Sequence, residues 1–488
     1  MDIEDMLSFA KRKGFFWQSA DIYGGASGLY DYGHLGALLK RRFEDLWLSY
    51  FVNSNEDYHL IEGSDILPEK PLVASGHAER FNDILVGCSK CGSFFRADVL
   101  LSHYKIAIDE GKSPEEIDDI IRESNSVCLH CKGRLMPSKP FNLMLSVALG
   151  PENKDKGYLR PETAQSVYLN FAQEFNVLRN RLPMGLAIIG KAYRNEISPR
   201  QGLYRLRELT QAELQIFFDP QEWNVDLKGI EDRKVNVMFA KAKEVESVSA
   251  RELAGRYGLP GFYISKMVAI KEFYTDVLKI PEARFRFLEK DETERAFYNK
   301  LHMDIEVDVE SWGGFREVGG LHYRGDYDLT SHSNGSGHDL SVNVNGKRVM
   351  PNVLELSFGV DRNVWAIIDI FYRKDGERSV LQVPPYLAPY NAAVFPLQKD
   401  ERIDEEADRI FNALRKRMLV VTDRSGSIGR RYARMDEIGT PYCITVDYDT
   451  VDERSEKHGT VTVRDRDSKA QERVKADEIE EFLSKRLR

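Results

Sequence analysis

The sequence has no long apolar run. No stretch approaches the roughly 18 consecutive apolar residues of a membrane helix, and the most tempting one, Val364-Trp365-Ala366-Ile367-Ile368, meets Asp369 at once. The start, Met1 to Asp5, is acidic with no apolar segment behind it, so no signal peptide is expected. The chain is therefore expected to be cytoplasmic, with no membrane partner. Cysteine is scarce, five in 488 residues, which excludes a disulfide scaffold. A reducing compartment would disfavour disulfides in any case. Basic charge is not in excess: 69 Lys and Arg face 78 Asp and Glu, a net charge of −9. That excludes a uniformly basic nucleic-acid coat but not a local basic site, because counterion release depends on where the cations sit. Repeats and low-complexity segments are also missing. With 42% hydrophobic and 30% charged residues, the composition excludes a disordered or collagen-like chain. The length fits about three domains.

Several elements can be read from pattern. Leu38, Leu39, Phe43, Leu46, Trp47, Tyr50 and Phe51 recur at helical spacing and form one apolar stripe. Periodicity alone leaves open whether that stripe faces a core or a subunit interface. Residues 220–310 are charge-rich, with helical stretches near 233–255 and 267–278, and are expected to be a peripheral helical insertion. Ser379 to Tyr390 carries Pro384, Pro385 and Pro389 and reads as a linker. After it, Ile403, Ala407, Ile410, Phe411, Leu414 and Met418 make an amphipathic helix, and buried strands alternate with helices to the end. Residues 389–488 are thus expected to be a compact α/β domain.

Four of the five cysteines form two spaced pairs, Cys88 with Cys91 and Cys128 with Cys131. Thiolates two apart on a tight turn, repeated once, supply four soft ligands for tetrahedral zinc. Four buried free thiols are the alternative. A site with four cysteine ligands is closed, so the zinc would be structural. The spacer exceeds usual ribbon spacing, and a helix is expected within it: Ser113-Pro114-Glu115-Glu116 is a capping box with Pro at the first helical position. Residues 87–135 therefore read as a zinc-binding insertion. Cys443, alone in a strand pattern, reads as core.

Gly185 to Ala192 nearly matches a phosphate-binding loop. Position 192 lacks the hydroxyl that magnesium needs, and the intervening residues are apolar and β-prone, so the segment reads as a strand. Beyond it come Tyr193-Arg194-Asn195-Glu196, a turn at Pro199-Arg200-Gln201-Gly202, and a return segment from Tyr204 to Gln215. Read as two strands joined by a loop, Arg194 and Glu196 share a face, as do Arg205 and Arg207. Such a surface can bind triphosphate, base edge and ammonium together. Cross-strand ion pairing on a solvated face gives the same spacing.

This segment resembles motif 2 of the class II aminoacyl-tRNA synthetases. Pro351 to Arg362 looks like motif 3, within about 351–369, and Gly33 to Pro68 looks like motif 1, the dimer-interface helix and strand. Motif 2 would span about 186–218. Within the class, the chain is similar to the dimeric glycyl-tRNA synthetases of archaeal and eukaryotic type. The similarity is carried by Ile22–Gly33, Phe95–Asp98, Arg160–Gln165, Arg194–Glu196, Asp326–His332, Ser425–Gly439 and Thr462–Ser468. It implies an α/β (α+β) protein with an antiparallel-sheet catalytic domain over 1–386, zinc-binding and helical insertions, and a C-terminal α/β anticodon-binding domain. The implied partners are ATP with Mg²⁺, glycine, tRNA and a second copy in a homodimer.

The resemblance also implies roles. Arg194, Glu196 and Arg362 would carry catalysis, with Arg194 on the α-phosphate, Glu196 on the adenine side and Arg362 on the γ-phosphate. Arg205 and Leu206 would line the adenosine, while Glu317 and Val318 lie beside ATP and its magnesium. Asn195, Tyr204, Arg207, Glu208, Leu209, Gly359, Val360 and Asp361 complete the implied ATP site. Glycine would meet Arg96, Glu162, Glu213, Glu355 and Ser357, with Leu209, Thr210, Gln211, Ala212, Leu356, Phe358 and Gly359 around it. Carboxylates suit an ammonium, and an arginine with a hydroxyl suits a carboxylate. Departures from the family pattern include His34, Tyr193 and Leu209. Leu356 stands where proline is usual, and His322-Tyr323 where small residues are usual before Arg324. A non-catalytic relative that only binds nucleic acid would have lost Arg194, Glu196 or Arg362, and all three are present.

The C-terminal domain is not basic on average, but Arg424, Arg430, Arg431 and Arg434 cluster among glycines. A solvated loop and helix would explain them. The resemblance implies instead that they contact the phosphates and bases of tRNA.

Overall fold

Met184–Tyr193 is a largely apolar run, apolar and polar residues alternate along Ala212–Ile216 within Glu208–Phe218, and the two strands pair antiparallel toward one edge of a nine-stranded sheet. The computed structural model describes residues 1–487 except 107, 109–111, 153, 200, 241, 243, 293, 297 and 377; Arg200 thus lies outside the described residues. Gln18–Tyr30 and Trp47–Asn363 form one unit, and Met1–Trp17, Asp31–Leu46 and Val364–Arg488 form another.

In the first unit the sheet strands are β1 (Tyr58–Leu60), β2 (Met184–Tyr193), β3 (Glu208–Phe218), β4 (Lys234–Met238), β5 (Glu246–Ser249), β6 (Phe285–Glu289), β7 (Leu301–Val309), β8 (Gly314–Gly325) and β9 (Asn352–Gly359). Their spatial order is β5-β4-β6-β7-β8-β9-β3-β2-β1. All neighbours are antiparallel except β1 with β2 and β4 with β6. One face carries Phe358, whose ring meets Phe51 at 5.1 Å and Trp47 at 5.9 Å. On the other face, part of the sheet is covered by helix Ala164–Val177, whose Val167, Tyr168 and Phe171 pack with Leu186, Ile188 and Phe217.

Residues 220–310 correct the expectation of a peripheral helical insertion. They contain helices Ala250–Gly255 and Gly261–Glu272, but they also supply β4, β5, β6 and β7 to the main sheet. The β-branched run Val235, Val237 and the aromatic pair Phe285, Phe287 are fully buried there. High charge had masked short strands whose apolar residues alternate. The stripe of helix His34–Leu48 divides: Leu39, Phe43 and Trp47 are fully buried within the chain, while Leu38 and Leu46 are only partly buried.

The insertion pairs Asn82–Gly87 with Phe94–Arg96 and Lys139–Asn142. Helix Pro114–Glu123 starts at the expected capping box, with Glu116 N–H donating to Ser113 Oγ and Ser113 N–H to Glu116 Oε2.

In the second unit, β10 (Ala392–Pro396), β11 (Val420–Thr422), β12 (Tyr442–Val446), β13 (Thr460–Asp465) and β14 (Gln471–Lys475) form a sheet ordered β11-β10-β12-β13-β14. Helix Glu401–Leu414 buries Ile403, Ala407, Ile410 and Leu414 on it, as the spacing predicts. Cys443 is buried on β12. The start of the expected linker is anchored: Arg466 donates to the carbonyls of Leu381, Val383 and Gly439, and Arg378 pairs with Asp436 at 2.9 Å. Among the described residues, no helix is long and apolar enough to cross a membrane.

Candidate active site

β2 ends at Tyr193, so Arg194 and Glu196 do not lie on a strand as the sequence predicted. They sit in the connecting loop, residues 194–207. The loop is nevertheless fixed. Arg194 N–H donates to the Arg207 carbonyl, its guanidinium donates to the Pro161 carbonyl, and its side chain lies over the Phe81 ring. Arg207 grips the Glu196 carbonyl through Nε and Nη2. The loop thus presents Arg194, Glu196, Tyr204, Arg205 and Leu206 to a cleft of about 290 Å³. Glu196 is buried, yet its Oε2 accepts no hydrogen bond; Arg96 and Arg205 stand 3.9 and 4.0 Å from it. A buried acceptor without a donor is a strong expectation of a ligand donor.

Arg362 opens helix Val360–Phe371 at the end of β9. Its guanidinium donates to the carbonyls of Tyr204 and Glu317, pairs with the Glu317 carboxylate at 3.0 Å and covers the Tyr204 ring. Burial disfavours its charge, but Glu317 and Tyr204 more than compensate, and its pKa is raised. Asp361 accepts from the Thr210 amide and so ties the helix start to β3.

The far end of the cleft is built by cross-strand register. Glu213 on β3 lies opposite Ser357 on β9, and Ser357 Oγ donates to it at 2.9 Å. Gln211 and Thr163 also donate to Glu213, at 2.8 and 2.6 Å. Two further buried carboxylates, Glu162 and Glu355, line the same space. Both are paired. Fully buried Arg324 donates to Glu355 at 2.6 Å, reaches Glu162 at 3.4 Å and forks onto Asp328. His322 adds a contact to Glu355, and His77 one to Glu162 at 3.4 Å. Burial opposes both charges, yet these cations hold both pKa values down. Glu213 has no cation among these contacts. Burial first, then the charges of Glu355 and Glu162, push its pKa up to about 7. One carboxylate of three is left seeking a cation.

The remaining expected residues divide, with strand alternation turning Ala212, Leu356 and Phe358 away. Leu209, Thr210, Gln211, Glu317 and Gly359 line the cleft. Ala212, Leu356 and Phe358 do not: they occupy the alternate positions of β3 and β9, and Phe358 packs with Trp47 and Phe51. Val318 and Val360 are fully buried, Glu208 pairs with Lys191 and Asn195 donates its amide to Leu143. Arg96 lies outside the lining, held by Asp83 and Asp98. Arg324, Asp328, His77, His322, His302 and Asp304 were given no role by sequence reasoning. The Arg324–Asp328 pair, four apart and adjoining a recognised segment, was the available signal.

Among the described residues one metal-ligand cluster stands out, Cys88, Cys91, Cys128 and Cys131, with their sulfurs all within 4.8 Å of one another. The two turns repeat each other. The first cysteine of each pair donates its amide to the residue five ahead, at Ser93 and Gly133. The residue after the second cysteine is left-handed in both, Gly92 at φ 69° and Lys132 at φ 57°. Gly133 passes so close that a Cβ would meet the Cys131 and Cys88 sulfurs at 3.1 and 3.3 Å. Four convergent thiols on duplicated turns fit a tetrahedral thiophilic cation.

The C-terminal arginines differ from one another. Arg431 is buried and donates to the carbonyls of Pro396, Leu397 and Asp423, so its role here is structural rather than that of an exposed contact. Arg424 pairs with Asp404 and Asp408, and Arg434 with Asp423. Arg430 is exposed, with no ion pair among the described residues.

Comparison with known proteins agrees with this layout. Residues 147–371 match the family described as tRNA synthetase class II core domain (G, H, P, S and T), and residues 391–486 match an anticodon binding domain. A glycine–tRNA ligase of Pyrococcus furiosus is 38% identical over 98% of this chain and 97% of its own length. Those of Aeropyrum pernix and Methanothrix thermoacetophila are each 36% identical over 98% of this chain and 96% of their own length.

Proposed function

The chain belongs to the class II glycine–tRNA ligases, and from that premise we propose how its residues divide the reaction. The enzyme joins glycine to tRNA with ATP, through glycyl-adenylate. ATP lies along the loop and the helix start, with Arg194 on the α-phosphate, Arg362 on the γ-phosphate, and Glu196 taking the exposed amino edge of the adenine through its unpartnered oxygen. Arg205, Leu206 and Tyr204 flank the nucleoside. Mg²⁺ would be held with the phosphates by Glu317, whose carboxylate is half-exposed at the cleft; it supplies charge neutralisation. The chain's own contribution is positioning and preorganised positive charge.

Glycine takes the other end. Its ammonium sits on Glu213, the one carboxylate of the three without a cation, while Arg324 and His322 keep Glu162 and Glu355 charged and fixed. This unmatched carboxylate is the observation that carries the reading. Attack by a glycine carboxylate oxygen on the α-phosphorus forms the adenylate and releases pyrophosphate; a tRNA hydroxyl then displaces AMP. No enzyme nucleophile is needed.

The cysteine cluster holds structural zinc; metal analysis of chelator-free protein should give about one zinc per chain. Zinc absent, with four freely titrating thiols, would refute this. Homodimer formation through motif 1 would use the parts of the helix stripe left partly exposed, such as Leu38, Leu46 and Tyr50, since Leu39, Phe43 and Trp47 are buried inside the chain. The enzyme works in the cytoplasm on tRNA, bound in part by the C-terminal domain. Glycine-dependent exchange of pyrophosphate into ATP, compared with alanine and serine, tests the whole reading: exchange with glycine supports it, and exchange only with another amino acid overturns it.

A further inference from the structure

On the assignment of glycine to Glu213, Ser357 and Glu355 rests a further step: we infer that His322 is the wall of the amino-acid pocket, a specificity-determining residue that excludes any amino acid bearing a side chain. His302 on β7, His322 on β8 and Glu355 on β9 are directly opposite one another. The neighbouring row contains Asp304, Gly320, Ser357 and Glu213. Gly320 is the member of that second row without a side chain. The imidazole of His322 occupies its place: a Cβ on Gly320 would sit 2.3 Å from His322 Nε2 and 2.7 Å from Cε1. The ring therefore lies beside Ser357, at the centre of the groups that hold glycine.

A bulge at Val318 brings this ring to the cleft. The β7–β8 register shifts there, so that Glu317 and His322, of opposite parity, both line it. Tyr323, the other unusual residue before Arg324, packs against Trp223 at 4.3 Å and does not line the cleft.

A wall discriminates only if it cannot yield. His322 is held at both ring nitrogens: Nδ1 is 2.8 Å from Glu355 Oε1, and Nε2 is 3.1 Å from His302 Nε2. The same His302 Nε2 lies 2.9 Å from Asp304 Oδ1, and because one ring nitrogen offers one hydrogen-bonding position, it donates to Asp304 when protonated and accepts from His322 when it is not. Swinging the ring aside for a methyl group would break both contacts and strip Glu355 of one of its donors. Attraction alone distinguishes one methylene by only about 10–200-fold. Collision with a braced ring adds to that.

The test is pyrophosphate exchange with glycine, alanine and serine in the full chain and in His322→Ala, His322→Asn and His302→Ala. We expect His322→Ala to raise the kcat/KM of alanine relative to glycine by at least about tenfold, mainly through the alanine KM. His302→Ala keeps the ring but removes its brace, and should raise the same ratio by a smaller factor. His322→Asn, which keeps a donor for Glu355 with less bulk, should fall between them and reads the same quantity if the alanine variant fails to fold. If His322 only positioned Glu355, both amino acids would lose alike; an unchanged ratio in folded variants therefore overturns the inference. Wild-type protein that exchanges without preference for glycine would instead defeat the glycine assignment beneath it.

Discussion

Arg362 lies far in sequence from Arg194 and Arg205 yet lines one cleft with them, whereas Arg424, Arg430, Arg431 and Arg434 fall within residues 424–434 and scatter in role. In the cleft, Arg194 and Arg362 spend donors on loop carbonyls and Arg362 also pairs with Glu317, yet both still line the cleft. In the C-terminal domain, Arg431 spends its donors on three buried carbonyls, and Arg424 and Arg434 are matched by aspartates. Density of charge in sequence is thus a poor guide to availability. What counts is how many partners the fold has already supplied.

The contrast can be broken by substitution. Arg362→Ala should lower glycine-dependent pyrophosphate exchange by about 10²–10³-fold, as for loss of one preorganised charge at the reacting group, with a folded protein. Near-wild-type exchange would remove Arg362 from the triphosphate. Arg431→Ala should do the reverse. Three carbonyls lose their donor in a buried setting, costing about 3 kcal/mol in unfolding free energy, while exchange per folded molecule holds. A denaturant midpoint equal to wild type would show that this arginine is not structural. Arg430→Ala should have the smallest effect: tRNA binding weakens, its salt slope falls by about one, and exchange without tRNA is unchanged. Unaltered tRNA affinity would move the contact elsewhere in the domain.

Much of this was legible because it depends on short-range pattern. The duplicated Cys-x-x-Cys turns, the capping box at Ser113 and the apolar β2 strand are set by neighbours in sequence. The resemblance to the synthetases also singled out Glu162, Glu213, Glu355 and Ser357, which converge on the cleft, and Arg96, which does not line it. What was not legible depends on register. Ala212, Leu356 and Phe358 lie between lining residues in sequence, and the two-residue period of a strand turns them to the other face. The row His302–His322–Glu355 joins three strands, and nothing local announces it. The strands within 220–310 were hidden by their charge, and the burial of Arg431 by its neighbouring arginines.

The glycine end of the cleft rests on a charge the fold leaves without a cation, that of Glu213. Glu213 must be ionised to hold an ammonium, and its pKa is pushed up to about 7. Below that value glycine must displace a proton. The glycine KM of wild-type enzyme, measured from pH 6 to pH 8, should therefore fall as pH rises, approaching about tenfold per unit below 7 and levelling above it. Glu213→Gln should bind glycine weakly with that pH dependence removed. A wild-type KM independent of pH, or a Gln variant that keeps the wild-type KM, would contradict the account.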